Sequence, residues 1–157
     1  AIFYRLEKKL RDSSVSVAVV VQKMVQSEVS GVAFTVHPVT KDYNQLVIEA
    51  GFGLGEAIVS GSITPDNYVI DKQEDLILDV TVSRQEKKIA KLPTGETHWT
   101  EVHENDAERQ KLEGKSIMDL AALCKRIEAH YGKPQDIEWA FEGGKIFVTQ
   151  SRPITTL

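Results

Sequence analysis

The chain has 157 residues, 41% of them hydrophobic, and a formal net charge of −4. That is enough for one ordinary domain that buries roughly two-thirds of its unfolded surface, and it excludes the basic excess of a nucleic-acid binder. The lone cysteine, Cys124, excludes an internal disulfide and fits a reducing cytoplasm; no signal peptide is expected, and no apolar run reaches membrane-spanning length.

Ala1 to Leu10 (AIFYRLEKKL) reads as the last turns of an amphipathic helix, and the chain opens without an initiator methionine. Val15 to Val25 (VSVAVVVQKMV) is apolar and β-branched, which predicts a central strand buried on both faces. At its end, Gln22-Lys23-Met24-Val25, apolar residues give way to polar ones. On residues alone, Met24 and Val25 read as core.

Gly31 to Val36 and Gln45 to Glu49 predict further strands, joined by the turn-rich HPVTKDYN. Gly51-Phe52-Gly53-Leu54-Gly55-Glu56 follows a strand and opens a short helix through Ile58, which Ser60-Gly61 ends. It spells GxGxG and lacks the spacing of either common phosphate fingerprint, so the glycines read as structural turns. Glu56 already supplies negative charge at the helix start. Tyr68 to Ile70, Leu76 to Ser83 and Lys87 to Lys91 predict short antiparallel strands, with a turn at Pro93-Thr94-Gly95.

The mixed-charge run ENDAERQKLEGK reads as a solvated helix face rather than a binding surface. The longest helical pattern spans Ala107 to Tyr131, with Leu112, Ile117, Leu120, Leu123 and Ile127 apolar. Gly114 weakens its start, so the continuous part begins near Lys115 or Ser116, and Gly132-Lys133-Pro134 stops it. Cys124 lies on the apolar side of this helix and reads as a buried bystander. His37, His98, His103 and His130 read as structural or solvent-facing, because they lack metal-ligand spacing with Cys124.

QDIEWAF and KIFVTQ, separated by Gly143-Gly144, form a hairpin signal. Near its open end lie Asp136, Glu138, Gln150 and Arg152. Carboxylate and amide oxygens suit magnesium, and the arginine fork suits phosphate. A two-residue loop would set Glu138 opposite Thr149 and send Gln150 and Arg152 to the other face. An odd loop, such as Gly143 to Lys145, sets Glu138 opposite Gln150 and Asp136 opposite Arg152, so that all four share a face. The odd register is the prediction. A solvated edge hairpin with a surface ion pair is the competing reading of these residues.

SGVAFTVHPVT (Ser30 to Thr40), IEAGFGLGEAIVSG (Ile48 to Gly61), TPDNYVI (Thr64 to Ile70) and DIEWAF…VTQSRP (Asp136 to Pro153) resemble the phosphoenolpyruvate synthase and pyruvate phosphate dikinase family, with its phosphoenolpyruvate synthase branch nearest. The resemblance covers Ala1 to Leu157 and implies an α+β, ATP-grasp-like fold: a mainly antiparallel sheet, a long helix and a C-terminal β-hairpin. It implies a single domain, 1–157, forming the C-terminal portion of a nucleotide-binding domain in a larger enzyme. Its partners there would be the N-terminal half, which supplies a lysine and an arginine to the phosphates, a phosphohistidine domain and a pyruvate-binding domain. None of the four histidines has that phosphohistidine's threonine-serine-histidine context.

The implied ligands are ATP and magnesium. By the resemblance, Gln22, Lys23, Met24 and Val25 meet adenine at a hinge, and Glu56 holds the ribose. Glu138 and Gln150 ligate magnesium, Arg152 stabilises the transferred group, and Asp136 orients Arg152 or a metal-bound water. The implied reaction converts ATP, pyruvate and water to AMP, phosphoenolpyruvate and phosphate, with the isolated piece inactive. The alternatives are a rifampicin phosphotransferase, whose ending is like QSRPITTL, and a non-catalytic regulatory module.

Overall fold

The computed structural model describes residue 7 and residues 18–155. The expected helix over Ala1 to Leu10 lies outside the described residues except for Glu7, which is helical. Six strands form an antiparallel sheet in the order β4-β3-β2-β1-β7-β8. They are β1 (Val29–Phe34), β2 (Gln45–Phe52), β3 (Asp66–Asp71), β4 (Leu76–Thr81), β7 (Gln135–Glu142) and β8 (Lys145–Pro153). A separate two-stranded sheet pairs β5 (Lys87–Lys91) with β6 (Thr97–Glu101). Sequence patterning misses β6, because its five residues THWTE are mostly polar and four of them are exposed.

Among residues 18–155 there are two α-helices, α1 (Glu56–Val59) and α2 (Gly114–Tyr131). The second starts within two residues of its expected position and ends at Gly132 as the Gly-Lys-Pro signal requires. The architecture is α+β and mainly antiparallel, with one long helix and a C-terminal hairpin. No described helix is long and apolar enough to cross a membrane.

Side chains alternate along each strand, and directly paired residues share a face. Ala33, Ile48, Tyr68 and Ile137 point to one face, where they pack with Ile117, Leu120, Ala121 and Cys124 of α2 into the main core. Burial pushes the Cys124 thiol up to about 12, so it remains a thiol inside this core, as a bystander would. The other face carries one row of Glu49, Val32, Glu138 and Gln150 and a second of Val47, Phe34, Asp136 and Arg152. Helix α1 sits at one end of this second face. Gly51 makes room for it, since an added Cβ would lie 2.7 Å from Ile63 Cδ1 and 3.1 Å from Ile58 Cδ1.

Two expectations fail. The apolar run over 15–25 predicts a buried strand, yet residues 18–27 have no regular structure, and Val19, Val20 and Val21 are 79%, 85% and 95% exposed. Residues 15–17 of that run lie outside the described residues. β-Branched composition favours a strand only where a neighbouring strand accepts its hydrogen bonds, and none of the described strands pairs with 18–25. The charged run is not a solvated helix face either. It forms a short 3₁₀ turn, Glu104–Asp106, and an irregular crossing in which the Lys111 side chain is fully buried.

Lys111 Nζ meets Asp66 Oδ1 at 2.7 Å, with both side chains excluded from solvent. Asp66 also accepts hydrogen bonds from the Lys111 amide, the Ser83 amide and the Tyr68 hydroxyl, and Lys111 Nζ donates to the Ser83 carbonyl. Burial, reinforced by Asp66, pushes the Tyr68 phenol up. Nearby, buried Gln85 bonds both the amide and the carbonyl of Phe52. These polar contacts tie β3 and the end of β2 to the crossing that leads into α2.

The histidines serve local structure. His37 Nδ1 accepts from the Val39 and Thr40 amides, and His103 Nδ1 accepts from the Asn105 amide. His98 lies on β6, and the His130 ring meets Tyr131 edge-on with centroids 4.9 Å apart.

Candidate functional site

The hairpin adopts the predicted register by a different route. Its loop is the two-residue Gly143-Gly144 turn, with φ of 56° and 78°, so Glu142 pairs with Lys145. Such a turn needs positive φ at both positions, which glycine supplies without strain. Continued regularly, it would set Glu138 opposite Thr149. A β-bulge between Glu138 and Trp139 instead pairs Trp139 with Val148 and Glu138 with Gln150, leaving Thr149 as the extra residue. The odd count thus comes from the bulge rather than from an odd loop.

All four polar residues share one face. Gln150 Nε2 donates to Glu138 Oε1 at 3.2 Å, and Arg152 donates to Asp136 Oδ2 from Nε at 2.8 Å and from Nη2 at 2.7 Å. The hydrogen bond and charge of Asp136 raise the arginine's pKa further. The guanidinium itself is largely exposed, whereas the Asp136 carboxylate is only 13% accessible.

Between this face, α1 and the segment before β1 lies a cavity of about 450 Å³. Gln22, Lys23, Met24 and Val25 line one side, Gly55 and Glu56 another, and Glu138 a third, with Ser30, Ala140 and Thr149 along the sheet. Met24 is 48% exposed and Val25 half-buried, so neither is plain core. The Ser30 hydroxyl donates to the Gly53 carbonyl at 2.6 Å, which fastens the loop entering α1 to the sheet. Asp136 and Arg152 line a separate cleft of about 270 Å³, with Phe34 and Pro38. Six of the nine singled-out residues therefore converge on one cavity, while the ion pair lies one alternation further along the hairpin and Gln150 stands exposed beside Glu138.

Sequence reasoning misses Glu49. Strand patterning reaches this residue but shows no partner for it, and only the sheet register places it in the row of Glu138, across Val32. Burial raises its pKa, and the charge of Asp136 raises it further. Between the ordinary glutamate value and the raised one, the folded chain binds more protons than the unfolded chain, so stability falls as pH rises through that window. Glu49→Gln is expected to remove this fall. Urea midpoints measured across the weakly acidic range check it; an unchanged slope would contradict the assignment.

Among the described residues, no three His, Cys, Asp or Glu side chains converge as a metal-binding group. The hairpin offers one carboxylate and one amide, whose oxygen a half-turn of the Gln150 side chain would present. Magnesium commonly binds through one or two protein oxygens and completes its shell with water and phosphate, so this donor set fits a shared ion and not an all-protein cage.

The chain matches, over residues 1–157, the family described as pyruvate phosphate dikinase, AMP/ATP-binding domain. It is 47% identical to a probable phosphoenolpyruvate synthase of Methanocaldococcus jannaschii and 50% identical to one of Archaeoglobus fulgidus. It is also 41% identical to a rifampicin phosphotransferase of Bacillus cereus. Each alignment covers all of this chain but only 13%, 21% and 18% of the respective relative. The match across the full chain, together with a fold that is antiparallel, helix-backed and closed by a polar hairpin, shows that the chain belongs to the pyruvate phosphate dikinase AMP/ATP-binding domain family.

Proposed function

We propose that this chain forms one wall of a magnesium-ATP site in a phosphoenolpyruvate-synthase-like phosphotransferase. The observation that carries the reading is the convergence of Gln22 to Val25, Glu56 and Glu138 on one cavity of about 450 Å³, a size suited to a bound small molecule. Main-chain N–H and C=O groups of 22–25 read the adenine edge, and Met24 lies against the ring. Glu56 accepts hydrogen bonds from the ribose hydroxyls. Glu138 and the Gln150 amide oxygen hold magnesium, which when bound supplies charge neutralisation for the phosphates.

Arg152 faces the transferred phosphoryl group, oriented by its two bonds to Asp136. Phosphoryl transfer needs positioning and charge neutralisation more than covalent protein chemistry, and this residue set offers those two things. The parent reaction is ATP, pyruvate and water giving AMP, phosphoenolpyruvate and phosphate through a phosphohistidine. The other phosphate-binding half, the histidine domain and the pyruvate domain lie outside this chain, so the chain alone does not turn over. A rifampicin phosphotransferase is the second reading, supported by the 41% identical relative. The acceptor domain separates the two.

Titrating magnesium and a non-hydrolysable ATP analogue into the chain, followed by backbone amide NMR, tests the site. Shifts confined to Met24, Val25, Glu56, Glu138 and Gln150, and weakened without magnesium, are the expected result. Shifts elsewhere on a folded chain would refute the assignment.

A further inference from the structure

The bulge that unites the four polar residues needs something to hold it. Below the Gly-Gly turn, a regular continuation would give β8 a register other than the one observed. Without the bulge, Ile137 would pair with Gln150, Asp136 with Ser151 and Gln135 with Arg152. Gln150 and Arg152 would then point to the helix face, because a one-residue slip inverts every side chain. A bulge also leaves one residue outside the regular ladder. Contacts specific to the bulged register must therefore favour it. The bonds of Arg152 to Asp136 and of Gln150 to Glu138 are two of them, both at exposed side chains, and a buried one is needed on the other face.

Such a contact exists between Ser151 and Gln135. The Ser151 hydroxyl donates to Gln135 Oε1 at 3.0 Å on the helix face, and Gln135 is 1% exposed. The amide of Gln135 cannot turn away, because Nε2 donates to the Lys133 and Pro134 carbonyls at 3.0 and 3.2 Å. Its backbone is fixed as well: Gln135 N donates to Thr35 Oγ1 at 2.8 Å, and Thr35 N donates to the Gln135 carbonyl at 3.0 Å. Thr35 Oγ1 in turn donates to Glu128 Oε1 of α2 at 3.0 Å, and Lys72 holds that glutamate at 2.9 Å. One side-chain acceptor is thus presented to β8 at a set height, braced by the long helix. Ser151 is small enough for that half-buried place and carries a donor. Arg152, brought opposite Gln135 by the slip, would carry its charge to the helix face.

We propose that Gln135 and Ser151 are positioning residues, a register lock that keeps Gln150 beside Glu138 and Arg152 on Asp136. Neither of them lines the cavity of about 450 Å³. The inference rests on the magnesium-ATP reading for its consequence in activity, but not for its consequence in structure.

Ser151→Val and Ser151→Thr, made in the intact protein that carries this chain, test it. The two replacements share shape and β-propensity and differ by the hydroxyl. Because misplacing a reacting group by about 1 Å can cost on the order of a hundredfold, Ser151→Val is expected to lower kcat about tenfold or more. Its KM for ATP should stay within about twofold, since residues 22–25 and Glu56, which hold adenine and ribose in this reading, lie outside the hairpin. Ser151→Thr should retain wild-type kcat. A purely structural serine would lower the melting temperature of Ser151→Val with kcat unchanged, and that result overturns the lock. A crystal structure of Ser151→Val supplies the second readout. Ile137 still paired with residue 151, at full occupancy, also overturns it. A slipped strand with normal turnover would instead leave the lock standing and sink the ATP-site roles of Gln150 and Arg152.

Discussion

Asp66→Ala is expected to destabilise the fold by about 3–5 kcal/mol, and Lys111→Met by roughly half as much. The asymmetry follows from what each change leaves behind. Removing Asp66 strands a buried ammonium and takes the acceptor from the Lys111 amide, the Ser83 amide and the Tyr68 hydroxyl at once. Removing the ammonium leaves a carboxylate that still accepts from those three donors, and methionine fills the space beside Phe52 without a charge. A buried pair need not be more stable than a well-packed apolar one, yet breaking it from one side is costly. Asp66→Leu combined with Lys111→Met should therefore recover part of the loss, though three donors remain without their acceptor. Urea denaturation at neutral pH measures all three. Equal losses for the two single changes would show that the charge pair alone matters and that the surrounding donors do not.

The same pair shows where the sequence was readable and where it was not. The long helix was legible because Ile117, Leu120 and Cys124 recur at helical spacing and Gly132 ends them, and each of these is a local signal. The four polar residues of the hairpin were legible because period-two alternation and a Gly-Gly turn are local too. Three features were not. The bulge at Thr149 has no composition of its own, so patterning yields the pairing of Glu138 with Gln150 only through an odd loop that the hairpin does not have. Lys111 sits in a run of charges that any pattern reads as solvated; only its contact with Asp66, 45 positions earlier, explains its burial. Glu49 becomes a neighbour of the site through a register spanning three strands. Val19 to Val21 fail in the opposite sense, since their strand-like composition meets no partner among the described residues. Long-range pairing is what one-dimensional periodicity leaves out.

On the proposed roles, Glu138→Ala in the intact protein should lower phosphoryl transfer by about a thousandfold or more, while Arg152→Lys stays close to Arg152→Ala rather than to wild type. Glu138 is the carboxylate of the row that reaches both the cavity and the amide of Gln150, so its loss removes charge and an oxygen ligand together. Arg152 acts in a different way. Its Nε and Nη2 both bond Asp136 Oδ2, which fixes the plane of the guanidinium and leaves its outer edge exposed. A lysine ammonium is a point charge on a flexible stem and cannot reproduce that orientation. Arginines that stabilise a transferring phosphoryl group contribute about 10³–10⁵ in rate, so retention of most activity by Arg152→Lys would show that only charge is needed and that Asp136 does not orient it. Single-turnover formation of the phosphorylated protein, measured with saturating ATP at several magnesium concentrations, distinguishes the two residues. Glu138→Ala should shift the magnesium dependence as well as the rate, whereas Arg152→Lys should lower the rate at an unchanged magnesium midpoint. Near-normal transfer by Glu138→Ala would remove the magnesium role from the hairpin and leave Arg152 and the cavity beside residues 22–25 to stand on their own tests.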